Sequence, residues 1–533
     1  MNVLVCDPIS PKGIELLKQR PEFKVTVLDF KNKLSEAELL LAVKDVEAMI
    51  VRSETKISAK VLQAAPKLRV VGRAGVGVDN VDVEAATQRG VVVMNTPGGN
   101  TVTTAELTFF MLGALARHIA PAHASMVAGK WDRKLFQGIE LYGKTLGVLG
   151  MGRIGGEVAK RALAFGMKVL AYDPFLTEAR AKQLGVELVP DTDGIYRVAD
   201  FITVHMPVTE QTKGMLNADA FAKMKPGVRI VNCARGEIIE EKDLIAALES
   251  KKVAGAAMDV FAVEPLPADH PYRKLPNVLL TPHLGASTSE AQEKCGIEVA
   301  EIIAAYLLTG EVRNAVNLPF LDAKTYEQVK PYLLLGEKLG KFLSQLAAPG
   351  TDRIYITYGG KAKDLPNIDP ITRAILLGFL QNSAIKDVNN VNIRAMAAAA
   401  GITVEEKRSD EPVTFNEWLH VAVYAGDKKI SAGGTFFGSP NNPRIVRIYS
   451  QPVEIVPEGV LFLMNNKDRP GIVGYIGTLM GKHHVNIASM SLSRDAVGGR
   501  ALTVLNLDSV PPPALLAEIE KDPDICDVRV VKL

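Results

Sequence analysis

Cysteine is scarce in this chain, with four in 533 residues, at Cys6, Cys233, Cys295 and Cys526. Their scatter, without a C-x-x-C pair, excludes a disulfide-built scaffold and suits a reducing compartment. Histidine is also sparse, eight in all. His118, His123, His270 and His420 have no partners at ligand spacing, so no metal site is expected. Long apolar runs are missing too. The most apolar helical stretch, residues 107–116, is too short to span a bilayer, and the opening MNVLVCDP lacks the basic start and apolar centre of a signal peptide. No membrane partner is expected, and the expected location is cytoplasmic. Neither sign of charge dominates. The chain has 62 Lys and Arg against 60 Asp and Glu, a formal net charge of +2, and no single-sign run long enough to follow a nucleic acid.

What is present is ordinary globular material, 47% hydrophobic and 23% charged, in a chain too long for one core; three or four domains are expected. Its organising stretch is residues 145–173, TLGVLGMGRIGGEVAKRALAFGMKVLAYD. A short apolar run leads into Gly150, Gly152 and Gly155 at G-x-G-x-x-G spacing, helical character lasts until Gly166, and a second apolar run ends on Asp173. Such glycines also occur in ordinary turns, but here strand and helix flank them as dinucleotide binding requires. Gly150 serves the turn, Gly152 admits a pyrophosphate to the backbone, and Gly155 permits close helix-to-strand contact, with the phosphates on a helix N-terminus. Asp173 would accept from a ribose 2′-hydroxyl and repel a 2′-phosphate, which favours NAD over NADP.

Between residues 1 and 96, apolar runs at 3–6, 25–28, 48–51, 69–72 and 91–94 alternate with helical stretches, predicting a parallel sheet. Two strand ends carry arginine: Arg52-Ser53, and Arg73-Ala74-Gly75-Val76-Gly77. Arginine suits forked binding of carboxylate or phosphate, and the glycines leave backbone N–H groups open to an anion. A doubly anionic substrate follows. The alternative is that Arg52 and Arg73 lie on solvated loops or pair with Asp79 or Glu54. Residues 95–100 read as a turn cluster before a helix at 104–118. The Arg133 region is either a surface helix end or a further anion contact.

Beyond Asp173, strands are expected at 201–204, 228–232, 255–258 and 278–280. Each ends in a polar group: His205-Met206-Pro207, then Asn232-Cys233-Ala234-Arg235-Gly236, then Asp259 to Glu264-Pro265, then Thr281-Pro282-His283 with Leu284, Gly285, Ala286 and Ser287. Successive strand ends share one sheet edge, so an Arg, a Glu and a His can converge on the cofactor crevice.

NCARGEII, DVFAVEP and TPHLGAST, in this order after the glycine motif, resemble the signatures of the D-isomer-specific 2-hydroxyacid dehydrogenases over residues 1–318. The resemblance implies that Arg235, Glu264 and His283 are catalytic. Oxidising a secondary alcohol needs a base for the hydroxyl proton, and a histidine near neutrality suits it; His283 is that candidate, oriented by Glu264, with Arg235 gripping the substrate carboxylate. The resemblance also implies NAD as cofactor, contacted at Gly150, Gly152, Arg153, Ile154, Gly155 and Asp173. Further contacts implied are Val76, His205, Met206 and Pro207, then Cys233, Ala234 and Arg235, then Asp259, His283, Gly285 and Ala286. VGRAGVGVDNVD and HLGASTSEAQ narrow the resemblance to family members acting on 3-phosphoglycerate, whose substrate contacts would be Arg52, Ser53, Arg73, Ala74, Gly75 and, from a neighbouring subunit, Arg133.

The architecture expected is α/β throughout. Two Rossmann-like domains come first: a discontinuous substrate-binding domain at residues 1–97 and 285–318, and a NAD-binding domain at 98–284. Residues 319–457 should form an α/β intervening domain, with helices at 333–346, 371–380 and 392–400 and strands at 353–358, 418–424 and 444–449. Residues 458–533 give the βαββαβ order of a ferredoxin-like unit, and NNKDRPGIVGYIGTLMGKHHVNIASM resembles an ACT domain. That resemblance implies Asn466, Asp468 and Asn486 as contacts for serine, a feedback effector, and a homodimer or homotetramer. Two other functions remain open on sequence alone: a hydroxypyruvate or glyoxylate reductase on the same core, and a NAD-sensing binding protein, since fold does not fix function.

Overall fold

The computed structural model describes residues 1–30, 34–319, 323–381, 388–411 and 415–533. It forms two compact units, residues 1–56, 70–80 and 94–314 in one and residues 57–69, 81–93 and 315–533 in the other.

The first sheet runs in the order Lys24–Val27, Asn2–Val5, Ala48–Val51, Val70–Arg73 and Val92–Asn95. Asn2–Val5 pairs in parallel with a neighbour on each side. The chain winds one way to Lys24–Val27 and the other way to Ala48–Val51, so a crevice opens beyond the carboxyl ends of Asn2–Val5 and Ala48–Val51. Asp7 and Arg52 occupy it. Helix Ser289–Thr309 covers this sheet, with Val299 and Ile303 against Gly72. Helix Pro11–Lys18 meets that helix at glycines: a Cβ on Gly13 would stand 2.1 Å from the Gly296 carbonyl oxygen.

The second sheet has seven strands in the order Val278–Leu280, Val253–Met258, Val228–Asn232, Phe201–Val204, Thr145–Leu149, Lys168–Tyr172 and Glu187–Leu188. All its pairs are parallel, and its winding reverses beside Thr145–Leu149. Both faces are apolar, one against helices Thr101–Ala116 and Arg153–Ala164, the other against Ala218–Lys223 and Glu241–Glu249. Burial on both faces is why its strands read as continuous apolar runs.

In the second unit a six-stranded mixed sheet runs Thr403–Ser409, Arg353–Gly360, Glu417–Ala425, Lys428–Phe436, Pro443–Ile448 and Gln451–Ile455, with helices Ala323–Leu346 and Asp369–Leu380 packed on it. Three of its strands were not expected. Thr403–Ser409 is a charged edge strand, Lys428–Phe436 carries two glycines, and Gln451–Ile455 contains Pro452, so none presents an apolar run. The last sheet is antiparallel, in the order Ile487–Arg494, Arg500–Leu507, Val460–Lys467 and Ile525–Lys532. With helices Ile472–Lys482 and Pro513–Ile519 it has the βαββαβ order expected. Phe462 and Met464 face those helices, while Leu461 and Leu463 join the core of the six-stranded sheet, a strand alternation of period two. Among the described residues no helix is long and apolar enough to cross a membrane.

Gly13→Ala tests the helix contact by sign. Alanine is intrinsically a better helix former by about 1 kcal/mol, yet the added methyl meets a backbone carbonyl, and overpacking of this kind costs about 1–3 kcal/mol. Thermal unfolding should shift to lower temperature; an upward shift would contradict the close contact.

Candidate active site

The site begins at the turn after Thr145–Leu149. Gly150 has φ +96°, a conformation that side chains resist, and a Cβ on Gly155 would stand 2.0 Å from the Gly150 carbonyl oxygen. Nothing lies within 4 Å of the position a Gly152 Cβ would take. Helix Arg153–Ala164 starts there, its first N–H groups facing that open space. Asp173 closes the turn from the next strand end, accepting from the Met151 N–H at 2.8 Å and the Phe175 N–H at 2.8 Å. The residues present therefore fit a dinucleotide, with room for phosphates and a carboxylate beside the ribose position. His205 and Met206 abut the same turn. Burial pushes the His205 imidazole down to about 3, and its Nε2 lies 3.0 Å from Thr203 Oγ1, so it is neutral. Cys233 follows strand Val228–Asn232. Its sulfur is turned into the core, 3.6 Å from Met111 Sδ, and burial pushes the thiol up to about 12. Only its backbone is left for the crevice.

At the edge of the seven-stranded sheet, His283 Nδ1 lies 2.7 Å from Glu264 Oε2. Glu264 Oε1 accepts from the Phe261 N–H at 3.0 Å. Partial burial alone would raise the Glu264 carboxyl, but the His283 hydrogen bond and charge, the Phe261 N–H and Arg235 outweigh it and hold the group below its ordinary value. His283 itself has φ +55°, an uncommon conformation for a residue with a side chain. Asp259 imposes it. This carboxylate is fully buried and accepts from Thr281 Oγ1, the Leu284 N–H and the Gly285 N–H, while its backbone carbonyl accepts from the His283 N–H at 2.9 Å. Asp259 thus builds the loop that presents His283, a role sequence reading did not give it. Thr104 Oγ1 donates to the Gly285 carbonyl at 2.8 Å, fixing the far side of that loop.

Three arginines converge from two sheets. Arg73 is held down to about 10, first by burial and then by the charges of Arg235 and Arg52. Its Nε is buried with no hydrogen-bond partner among the described residues, an unmet donor of the kind a bound anion satisfies. Asp7, 2% exposed, accepts from the Arg52 N–H at 2.6 Å and from the N–H and Oγ1 of Thr55, so it shapes the Arg52 loop. Ala74, Ala286 and Arg52 line one recess, whereas Ser53 is exposed and not part of its lining. Asp79 pairs with Arg235, not with Arg52 or Arg73. Arg133 is exposed on the short helix Arg133–Phe136 and is not brought into the arginine cluster. Asp7 carried one sequence signal, an acidic residue ending an apolar run.

In the antiparallel sheet, Asn466 is buried, with Oδ1 accepting from Thr503 Oγ1 and Nδ2 donating to the Lys467 carbonyl. Asp468 accepts from the Gly498 N–H and Arg494 Nη1, which together hold its carboxyl below the usual range. Asn486 is elsewhere. Asn466 is opposite Ala501 and Ile487 is opposite Leu507, so Asn486 lies at the far end of strand Arg500–Leu507, roughly 20 Å along it. The three residues expected to share one ligand do not meet within one chain. Among the described residues no group of three or more His, Cys, Asp or Glu is arranged to hold a metal.

Models of three families match the chain: the D-isomer specific 2-hydroxyacid dehydrogenase NAD binding domain over residues 109–285, the D-3-phosphoglycerate dehydrogenase intervening domain over 328–449, and the ACT domain over 460–524. Among relatives, the D-3-phosphoglycerate dehydrogenase of Synechocystis sp. is 44% identical over 100% of this chain and 95% of its own length. That of Archaeoglobus fulgidus is 43% identical over 100% of both. Among solved structures, a protein from Thermus thermophilus matches with TM-score 0.55 and 37% identity over 59% of this chain and 100% of its own. The NAD-dependent formate dehydrogenase of Staphylococcus aureus, in complex with NAD, matches with TM-score 0.53 and 28% identity over 59% and 98%.

Asp173→Ala should weaken NAD binding by about 1–3 kcal/mol, the range for hydrogen bonds to a charged group, and should narrow discrimination against NADP. Titration calorimetry with both cofactors checks this; unchanged affinities would refute the ribose role.

Proposed function

The chain belongs to the D-3-phosphoglycerate dehydrogenase family, and we infer that it oxidises 3-phospho-D-glycerate to 3-phosphohydroxypyruvate with NAD, the first step of the phosphorylated route to serine. The observation that carries this reading is the cluster of Arg52, Arg73 and Arg235 beside the Glu264–His283 pair. A substrate with an anion at each end needs more than one guanidinium, and the reacting C2 hydroxyl must face a base.

When bound, the dinucleotide supplies the hydride acceptor. Neutral His283 accepts the C2 hydroxyl proton at Nε2, because Nδ1 is committed to Glu264. The Glu264 carboxylate favours the imidazolium so formed. Arg235 holds the substrate carboxylate and polarises the C2 oxygen, while Arg73 and Arg52 take the phosphate end, where the unmet Arg73 Nε would gain a partner. We extend the proposal to the domain division, with residues 1–97 and 285–318 for substrate, 98–284 for NAD, 319–457 intervening and 458–533 regulatory; four separate sheets support it.

Serine as effector, a homodimer or homotetramer and a cytoplasmic location belong to the same proposal. The cysteines described are all free. Exposed Phe110, Ile119, Met126, Val127, Trp131 and Leu135 cluster in sequence around Arg133, an apolar surface suited to a second copy. Pairing two copies antiparallel along edge strand Ile487–Arg494 would carry Asn486 of each copy to the Asp468 end of the other, so that each of two serine sites is built from both chains.

The decisive assay is NADH formation from 3-phosphoglycerate against an unphosphorylated 2-hydroxyacid, each with and without serine. His283→Asn should lower kcat by roughly a hundredfold or more with NAD affinity retained. Glu264→Gln removes the carboxylate charge that favours imidazolium, so the pH profile of kcat should change; an unaltered profile would separate the two residues. Asn486→Ala in the full chain should abolish serine inhibition while leaving uninhibited turnover intact, and full inhibition in that variant would discard the two-chain site.

A further inference from the structure

Asp79 has no part in the mechanism above, yet it touches the residue that grips the substrate. It lies on the turn after Val70–Arg73, in the lobe built on the first sheet, whereas Arg235 follows Val228–Asn232 of the seven-stranded sheet. Asp79 Oδ2 accepts from Arg235 Nε at 2.9 Å and from Nη2 at 2.8 Å, and Arg235 Nη1 donates to the Ala234 carbonyl at 2.6 Å. We propose that Asp79 is a positioning residue for Arg235, a latch across the cleft that fixes the guanidinium for a forked hold on the substrate carboxylate. This rests on the substrate reading given under Proposed function.

The donor count supports it. A guanidinium has five N–H groups, and three are engaged here. One remains on each terminal nitrogen, the arrangement a carboxylate accepts in parallel. The surroundings leave Arg235 few alternatives. A Cβ on Gly77 would stand 1.6 Å from Nη2, and the like charge of Arg73, itself beside Arg52, is near enough to repel the guanidinium. Without Asp79 the repulsion from Arg73 would be unopposed and Arg235 would lose its fixed orientation. Asn80, the next residue, donates through Nδ2 to the Arg52 and Thr55 carbonyls at 2.9 and 2.7 Å. One short turn therefore sets Arg235 by charge and the Arg52 loop by neutral hydrogen bonds, so the spacing between the two ends of the substrate site depends on residues 77–80.

A purely structural ion pair would behave differently. The Asp79 side chain is 65% exposed, and exposed pairs contribute little to folding, so its removal should be felt in catalysis more than in stability. The test is a double-mutant cycle of Asp79→Asn with Arg235→Lys in the full chain, read as kcat and KM, with NAD affinity and thermal midpoint as controls. Asp79→Asn alone is expected to lower kcat/KM on the order of tenfold to a hundredfold, mainly through KM, as expected for a lost charge-assisted hydrogen bond. In the Arg235→Lys background the same change should cost less than about twofold, because interacting residues are non-additive. Equal penalties in both backgrounds, or Asp79→Asn within about twofold of the parent, would overturn the proposal. The cycle is run on 3-phosphoglycerate and, in reverse, on hydroxypyruvate, since both present a carboxylate to Arg235. A parent active only on hydroxypyruvate would refute the substrate reading, and the hydroxypyruvate cycle would then decide the role of Asp79.

Discussion

Three guanidinium groups, Arg52, Arg73 and Arg235, share a partly buried space and repel one another, and much of the first unit is arranged to hold them there. Arg73 shows the cost most directly, with its ionisation held down to about 10 by burial and by its two neighbours. Asp79 offsets part of this charge at Arg235. Asp7 contributes differently: it is buried and binds the backbone of the Arg52 loop, so it fixes geometry. The result is a net positive cleft that a multiply charged anion would relieve. Electrostatic strain of this kind gives selectivity, because an acid with one charge leaves part of the repulsion uncompensated.

The proton-handling side follows a different logic. In the proposed mechanism His283 is useful only if one ring nitrogen is fixed and the other is free, and two carboxylates divide that work. Glu264 engages Nδ1 directly. Asp259 never touches the ring; it holds the backbone of residues 281–285 through buried hydrogen bonds. Their environments separate them in the direction these roles require. Burial raises the Asp259 carboxyl against its hydrogen bonds, whereas the His283 contact lowers that of Glu264. A left-handed conformation at His283 is tolerated because so many buried donors converge beneath it.

Much of this was legible in the sequence, for physical reasons that differ by region. The strands of the first two sheets are buried on both faces and announce themselves as apolar runs bounded by glycine and polar residues. Their ends were correct to within two residues, the short edge strand Glu187–Leu188 alone going unexpected, and strand-end placement sufficed to gather Arg52, Arg73, Arg235, Glu264 and His283. What stayed hidden was whatever depends on non-local pairing. Nothing in the sequence distinguishes Asp79 as a partner of Arg235 from a partner of Arg73, since the two candidates differ only in how the lobes face. Strand Lys428–Phe436 was invisible because glycine and lysine carry no strand signal, although its neighbours pair it along its whole length.

The antiparallel sheet shows where motif reasoning needs topology. Asn466, Asp468 and Asn486 are close in sequence and were assigned to one ligand, but an eight-residue strand between them places Asn486 at the opposite end. A ligand that needs all three cannot be satisfied by one chain, whatever its side chains do. In the proposed pairing, two copies related by a twofold axis perpendicular to the edge strand would satisfy it twice, at two symmetric sites. The ligand then distinguishes paired from unpaired sheets by construction, and this unequal affinity is the thermodynamic requirement for any effector. Reciprocity follows: if serine strengthens the pairing of two copies, stronger pairing must raise the affinity for serine by the same factor, so effector affinity and association of the chain are one measurable coupling.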